Sequence, residues 1–311
     1  MTGSGRRHPL PILAVQMRLD ALAVAASRCL ESHEIPHVLL KGPTTAVWLY
    51  EPPRVYRDVD LLVPATRAAD AISALGAGGV ARPSAGLLGE DAHHSVLLAA
   101  SNGHEIDLHL TLPSTELPSP KDEAIQWAEL LRHLEPFEID GHAVPALDPA
   151  ARCLVIALHL LSAASSRQAV DDLERARRVA TPAAWAECAN LAQRLGLSDL
   201  LDAALDFIDG GHATAKLPLE YRLLDQGAAG AYQLLRLRRT GWRRVPRKIW
   251  SEFFPSRGFM RHAFPNRTGL ALALAYIGRL GKLLGSLPRQ MLILIREERK
   301  EGQRGRDPHV G

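Results

Sequence analysis

The chain has 311 residues, an apolar fraction of 47% and a formal net charge of +3. That is enough for two domains or one large one with a real core. Its cysteines, Cys29, Cys153 and Cys188, are odd in number and match no zinc spacing, so they read as free thiols of a cytoplasmic protein. Arg6 and Arg7 are not followed by an apolar h-region, which argues against a signal peptide, and no clean 18-residue apolar stretch predicts a transmembrane segment.

In chain order, residues 1–8 read as disordered, and Pro9 to His33 as an amphipathic helix with Ile12, Val15, Leu19, Leu22, Ala26 and Leu30 near one face. A short strand, Val38 to Leu40, ends in Lys41-Gly42. A helix over Thr44 to Tyr50 and a Pro-rich turn, Glu51 to Arg54, lead into a second strand, Tyr56 to Val63. Ala65 to Leu75 reads as a helix stopped by Gly76-Ala77-Gly78-Gly79, and residues 80–92 as a loop. His94 to Ala99 and Glu105 to Leu110 predict a hairpin around Ser101-Asn102-Gly103. Residues 112–120 read as a linker or surface loop. A helix (Lys121 to His133) and a strand (Phe137 to Val144) complete a first domain over residues 1–147.

Beyond it, residues 148–311 read as helical. Asp148-Pro149 opens a helix, and further helices follow over 168–180, 182–195 and 199–208. Charge is uneven. Residues 236–306 hold eighteen Lys and Arg against four acids, leaving 19 against 30 for the remainder. This basic segment also carries Trp242, Trp250, Phe253 and Phe254, a mixture suited to nucleic acid, to an anionic membrane surface, or to docking on the chain's own acidic half. Residues 297–311 read as a frayed polar tail.

The chemistry concentrates on two strands. Asp58 and Asp60 stand two residues apart, so a strand points both carboxylates to one face while Val59, Leu61 and Val63 point to the other. Adjacent like charges are costly unless a cation lies between them, which makes Asp-x-Asp a divalent-metal candidate. On the hairpin, Asp107 and His109 share a face, and Ile106, Leu108 and Leu110 share the other. Three Asp on neighbouring strands suit Mg2+ or Mn2+ and leave room for substrate phosphates. Lys41 and Gly42 at a helix start suit phosphate. Arg54 and Arg57 either clamp phosphate or pair with Glu51 or the Asp pair. His109 could stand in a second shell of the site, and an edge histidine is an equal reading. His159 and Asp171-Asp172 read as structural.

Leu40-Lys41-Gly42, Arg54-x-x-Arg57-Asp58-Val59-Asp60-Leu61-Leu62-Val63 and Ile106-Asp107-Leu108-His109 together resemble the uncharacterised bacterial nucleotidyltransferase family, a branch of the polymerase-β-like nucleotidyltransferase superfamily. Where that superfamily carries Gly-Ser before its nucleotide-binding helix, Lys41-Gly42-Pro43 stands here, as in the branch. The resemblance implies an α+β fold, with a polymerase-β-like domain of small mixed sheet and helices followed by an all-helical region. It also implies an NTP donor, Mg2+ or Mn2+ at Asp58, Asp60 and Asp107, and transfer of an NMP to an acceptor hydroxyl on a peptide, protein or small molecule. Family members often lie beside peptide-modification genes, including lasso-peptide clusters. Two other readings remain open: a non-catalytic binding module of the same fold, and an RNA or membrane-surface binder acting through the basic segment.

Overall fold

The structure, a computed structural model, describes residues 9–83, 94–115, 119–164, 166–212, 217–239 and 269–304. The expectations for residues 1–8, for most of the loop at 80–92 and for the basic stretch 240–268 lie outside the described residues. Among those described, contacts divide the chain into two compact units. The first takes the residues up to 156 together with 172–198; the second takes 157–171 and those from 199 onward.

The first unit is built on a mixed sheet of seven strands: β1 (Val38–Leu39), β2 (Val59–Leu62), β3 (Ala81–Pro83), β4 (Ser95–Ala100), β5 (Glu105–His109), β6 (Leu134–Ile139) and β7 (His142–Leu147). Their order is β3-β4-β5-β2-β1-β7-β6. This is the α+β arrangement that the sequence led us to expect. β2 lies in the middle, antiparallel to β1 and parallel to β5. All four of its residues are buried, as a strand covered on both faces requires. Helix α1 (Pro9–Ser32) places fully buried Leu19, Ala23, Ala26 and Leu30 at the core and touches β2, β6, β7 and α3 (Ala68–Ala77). Burying a leucine side chain contributes about 1.5–3 kcal/mol, so this stripe outweighs any intrinsic helix preference.

Several sequence expectations need correction. Residues 81–83, read as part of a loop, form strand β3 on β4. Asp58 does not belong to β2: the strand begins at Val59, where pairing with Ile106 of β5 begins, and Asp58 sits in the bend before it. The strand expected over Phe137 to Val144 is two strands, β6 and β7, joined at Asp140-Gly141. Both turn residues have positive φ, 48° and 77°, the geometry that Asp-Gly favours in a two-residue hairpin.

Helix α2 (Pro43–Leu49) follows β1, and α4 (Pro120–Leu131) packs against α7 (Pro182–Leu195). A buried Glu123 on α4 accepts hydrogen bonds from the backbone N–H of Ala65 and Thr66, closing the 3-10 turn that follows β2. Helix α7 starts on Thr181, whose hydroxyl accepts from Ala184 N–H, and stops at Gly196 in the left-handed conformation. Helices α5 (Pro149–Ser162) and α6 (Arg167–Val179) run from one unit into the other.

In the second unit, α8 (Ser198–Asp209), α9 (Leu219–Asp225) and α10 (Ala229–Arg239) precede the 36-residue α11 (Gly269–Arg304). Leu219, Leu223, Ala231, Leu235 and Leu294 form its core. Helix α11 continues well past Ile295, so residues 297–304 are not a frayed tail. Glu297 is buried there between Arg222 and Lys300, and Arg238 pairs with Glu298 at 2.7 Å. Among the described residues no helix is long and apolar enough to cross a membrane.

Two stability predictions follow from these contacts. Nothing lies within 4 Å of a Cβ added at Gly141, so its φ alone decides the cost. Gly141→Ala should destabilise the protein by about 1–2 kcal/mol, and Gly141→Asn by less, in urea unfolding. His37 is buried, bonded to Ser27 Oγ at 2.8 Å and to the Ile35 carbonyl at 3.0 Å. Burial lowers its pKa, against the opposing pull of the Ile35 hydrogen bond and of Glu31. Its contribution is therefore complete above the unfolded value of about 6.5 and is lost as pH falls below it. Wild type should lose more stability between pH 7.5 and 5 than His37→Asn does.

Candidate active site

The parallel ladder between β2 and β5 builds the site. Its register sets Asp60 beside Asp107 and Leu62 beside His109. Partner residues in a ladder share a face about 4.8 Å apart. Val59, Leu61, Ile106 and Leu108 face the other way and are fully buried. The apolar half of each strand thereby fixes where the polar half points.

His109 binds both carboxylates through one nitrogen: Nε2 stands 2.9 Å from Asp60 Oδ1 and 3.2 Å from Asp107 Oδ2. Lys41 approaches the same Asp60 oxygen at 3.6 Å. Asp60 is buried and Asp107 half-buried. Burial pulls the His109 pKa down, but the hydrogen bonds and charges of Asp107 and Asp60 outweigh it and raise it to about 9. Burial likewise pushes Asp107 up, yet the bond and charge of His109, with a hydrogen bond to Ser95, leave it below the ordinary carboxylate value. Ser95 lies on β4, opposite His109.

Asp58 is an exposed residue overall, but its carboxyl is crowded. Desolvation first, and then the charge of Asp60, raise its pKa, while Lys41 opposes them. Its approach is held from α1: Gln16 Nε2 donates to the Tyr56 carbonyl at 3.0 Å, and the buried Tyr56 hydroxyl donates to Asp20. The Tyr56 ring also packs near Gly42, where an added Cβ would meet it at 3.6 Å. Gly42 has φ 74°, which favours glycine, and it caps α2. Asp58, Asp60, Asp107, His109, Lys41 and Gly42 are thus held around one stretch of the sheet.

The two arginines differ. Arg57 is exposed. Arg54 is tied to α6: it donates to Asp172 Oδ2 at 3.2 Å, and Asp172 also accepts from the Tyr50 hydroxyl. The Arg54 and Arg175 guanidiniums lie 5.5 Å and 4.4 Å from the Tyr50 ring centre. Sequence reasoning missed this cluster. Asp172 is 118 residues from Arg54, and no local pattern links them.

The donor set suits a divalent cation. The ligand atoms of Asp60, Asp107 and His109 all lie within 4.8 Å of one another, and Asp58 stands outside that tight group. Carboxylate oxygens and an imidazole nitrogen are ordinary metal donors, and a cation would relieve the crowding that raises Asp58.

The Arg54 network yields its own test. Removing one partner of a buried pair leaves a charge without compensation, at a cost of about 3–5 kcal/mol. Asp172→Ala should therefore lower stability by about 3 kcal/mol in urea unfolding, well beyond the effect of Arg57→Ala at its exposed position.

Residues 14–209 match a family model described as uncharacterised nucleotidyltransferase. No curated protein sequence matches the chain at a significant level. Among solved structures, the chain is similar to the lincosamide antibiotic adenylyltransferase LnuA, bound to lincomycin, at 13% identity. That match covers 49% of this chain and 91% of the other, with a TM-score of 0.32. It is also similar to the antibiotic-resistance factor ANT(2'')-Ia, at 14% identity over 64% and 97% of the two chains and a TM-score of 0.36. An antigenic nucleotidyltransferase-like protein from Paracoccidioides brasiliensis matches at 16% identity over 60% and 92%, with a TM-score of 0.35. Scores this low carry no argument about substrate. The family match spans well over half of the 311 residues, so the chain belongs to the uncharacterised nucleotidyltransferase family and is a nucleotidyltransferase.

Proposed function

We propose that the protein moves a nucleoside monophosphate from an NTP to an acceptor hydroxyl in a metal-dependent reaction, with Asp58, Asp60 and Asp107 as its carboxylates. The observation that carries this reading is the side-by-side placement of Asp60 and Asp107 in the β2–β5 ladder, with Asp58 just before it. The three carboxylates suit Mg2+ or Mn2+. When bound, such an ion would offset negative charge on the triphosphate oxygens.

The chain's own groups have distinct tasks. Lys41, 3.6 Å from Asp60, offers a cation to the triphosphate, and Gly42 lets the backbone approach it closely. Arg57 is exposed and free to meet an incoming phosphate, whereas Arg54 would first have to leave Asp172. Asp107 remains ionised at neutral pH, because its pKa lies below the ordinary value, and so it is available as a proton acceptor. The acceptor oxygen attacks the α-phosphorus, its proton passes to Asp107, and the bond to pyrophosphate breaks.

On this reading the catalytic domain corresponds to residues 1–147 and the helical region to 148–311. The setting is cytoplasmic, and the acceptor is a peptide, a protein or a small molecule. Modification of a peptide natural product is the setting that the family resemblance suggests.

The test is thermal stability with each NTP, with and without Mg2+, followed by transfer of labelled nucleotide. Wild type should be stabilised by one NTP only when metal is present. Asp60→Asn should lose that shift and at least about 100-fold of the transfer rate. Equal metal-dependent nucleotide binding by wild type and Asp60→Asn would rule out this site.

A further inference from the structure

The tight donor group contains a nitrogen where the sequence pattern offered three carboxylates. We propose that His109 is itself a metal ligand, through Nε2, and that the site therefore prefers a first-row transition-metal divalent ion to Mg2+. This deepens the metal-dependent reading above and rests on it.

The geometry supports direct ligation. A single atom, His109 Nε2, lies 2.9 Å from Asp60 Oδ1 and 3.2 Å from Asp107 Oδ2. Two ligand atoms at right angles around one ion, each about 2.1 Å from it, stand about 3.0 Å apart. Both observed separations are close to that edge. The two oxygens lie within 4.8 Å of each other, so a shift of the carboxylates lets both oxygens and the nitrogen meet one ion and leaves its remaining positions for substrate. The backbone supports the same conclusion. Asp107 and His109 are two residues apart on β5, and β2 sets Asp60 beside Asp107, so the three side chains start from one face of rigid central strands. Asp58 lies in the bend before β2 and outside the tight group. A three-carboxylate shell would need Asp58 to move inward, whereas the shell with His109 needs only that Nε2 give up the proton it shares with Asp60 and Asp107 to solvent as the ion binds.

The nitrogen alters which ion fits. Carboxylates and water suit Mg2+, which asks for oxygen ligands in near-ideal octahedral geometry. Imidazole binds first-row transition ions more readily. A mixed shell of two carboxylates and one imidazole therefore favours an ion that accepts both donor types.

Mn2+ is the probe for the test, because it is paramagnetic and binds either kind of ligand. Pulsed electron paramagnetic resonance on Mn2+ bound to the full-length wild type should show coupling to 14N. Protein grown with 15N-histidine should show the 15N pattern instead. That pair of measurements needs no variant and so no assumption about folding. In His109→Gln the nitrogen coupling should vanish and Mn2+ should bind about 10-fold more weakly or worse. In competition, wild type should hold Mn2+ against at least about a 10-fold excess of Mg2+, and His109→Asp, an all-oxygen shell, should narrow that preference.

Saturable Mn2+ binding that is lost in Asp60→Asn, yet shows no nitrogen coupling in wild type, would overturn the proposal and leave the nucleotidyltransferase site standing. Coupling that persists unchanged in His109→Gln would overturn it too, by placing the nitrogen on another histidine. An absence of saturable Mn2+ binding to wild type, with or without NTP, would overturn both this proposal and the metal site beneath it.

Discussion

The structure turns on one electrostatic problem: two carboxylates side by side in the middle of a sheet. Asp60 and Asp107 are ladder partners, on central strands whose opposite faces are dry. At an effective dielectric near 20, like charges about 4–5 Å apart repel by roughly 3–4 kcal/mol. The protein answers with His109 and Lys41, both directed at Asp60, and His109 reaches Asp107 as well. A divalent cation would do the same work with more charge on one point. Arranged in this way, the site is built to accept a cation rather than to stand alone.

Much of the scaffold serves that pairing. The Tyr56 carbonyl and hydroxyl are held by Gln16 and Asp20 of α1, which fixes the stretch leading to Asp58. Glu123 of α4 secures the turn after β2. Both ends of the central strand are thus anchored by buried polar contacts, where an unpaired group would cost about 1–3 kcal/mol. Arg54 is part of a comparable anchor at α6. A residue of phosphate-binding type at its position in the chain has a structural partner in Asp172, and the two roles compete for one guanidinium.

How much of this was legible in the sequence differs from residue to residue. The alternation of apolar and acidic residues at Val59 to Leu61 and Ile106 to Leu108 identified the faces, because a period of two is local information. That the Asp strands are neighbours was expected from the shared chemistry of Asp60 and Asp107, but their register was not local information; the Tyr50–Arg54–Asp172 cluster was out of reach, since nothing in the chain joins positions more than a hundred residues apart. Helix α7 was readable to the residue, because Thr181-Pro182 and Gly196 are strong start and stop signals. The Asp140-Gly141 turn carries an equally strong signal, but the apolar residues on either side of it also fit one continuous strand. Asp58 was assigned to the strand because alternation continues through it, whereas strand length is set by the available partner.

The register of β2 against β5 has one further consequence. Because successive strand residues point to opposite faces, a slip of one position would turn Asp107 and His109 into the layer now filled by Ile106 and Leu108. Burying those polar groups without partners would cost several kcal/mol, more than the hydrogen bonds of the slipped ladder could return. The residues proposed for chemistry therefore also help to specify the register of the sheet. They penalise the misaligned sheet, and they do so before any substrate has been met.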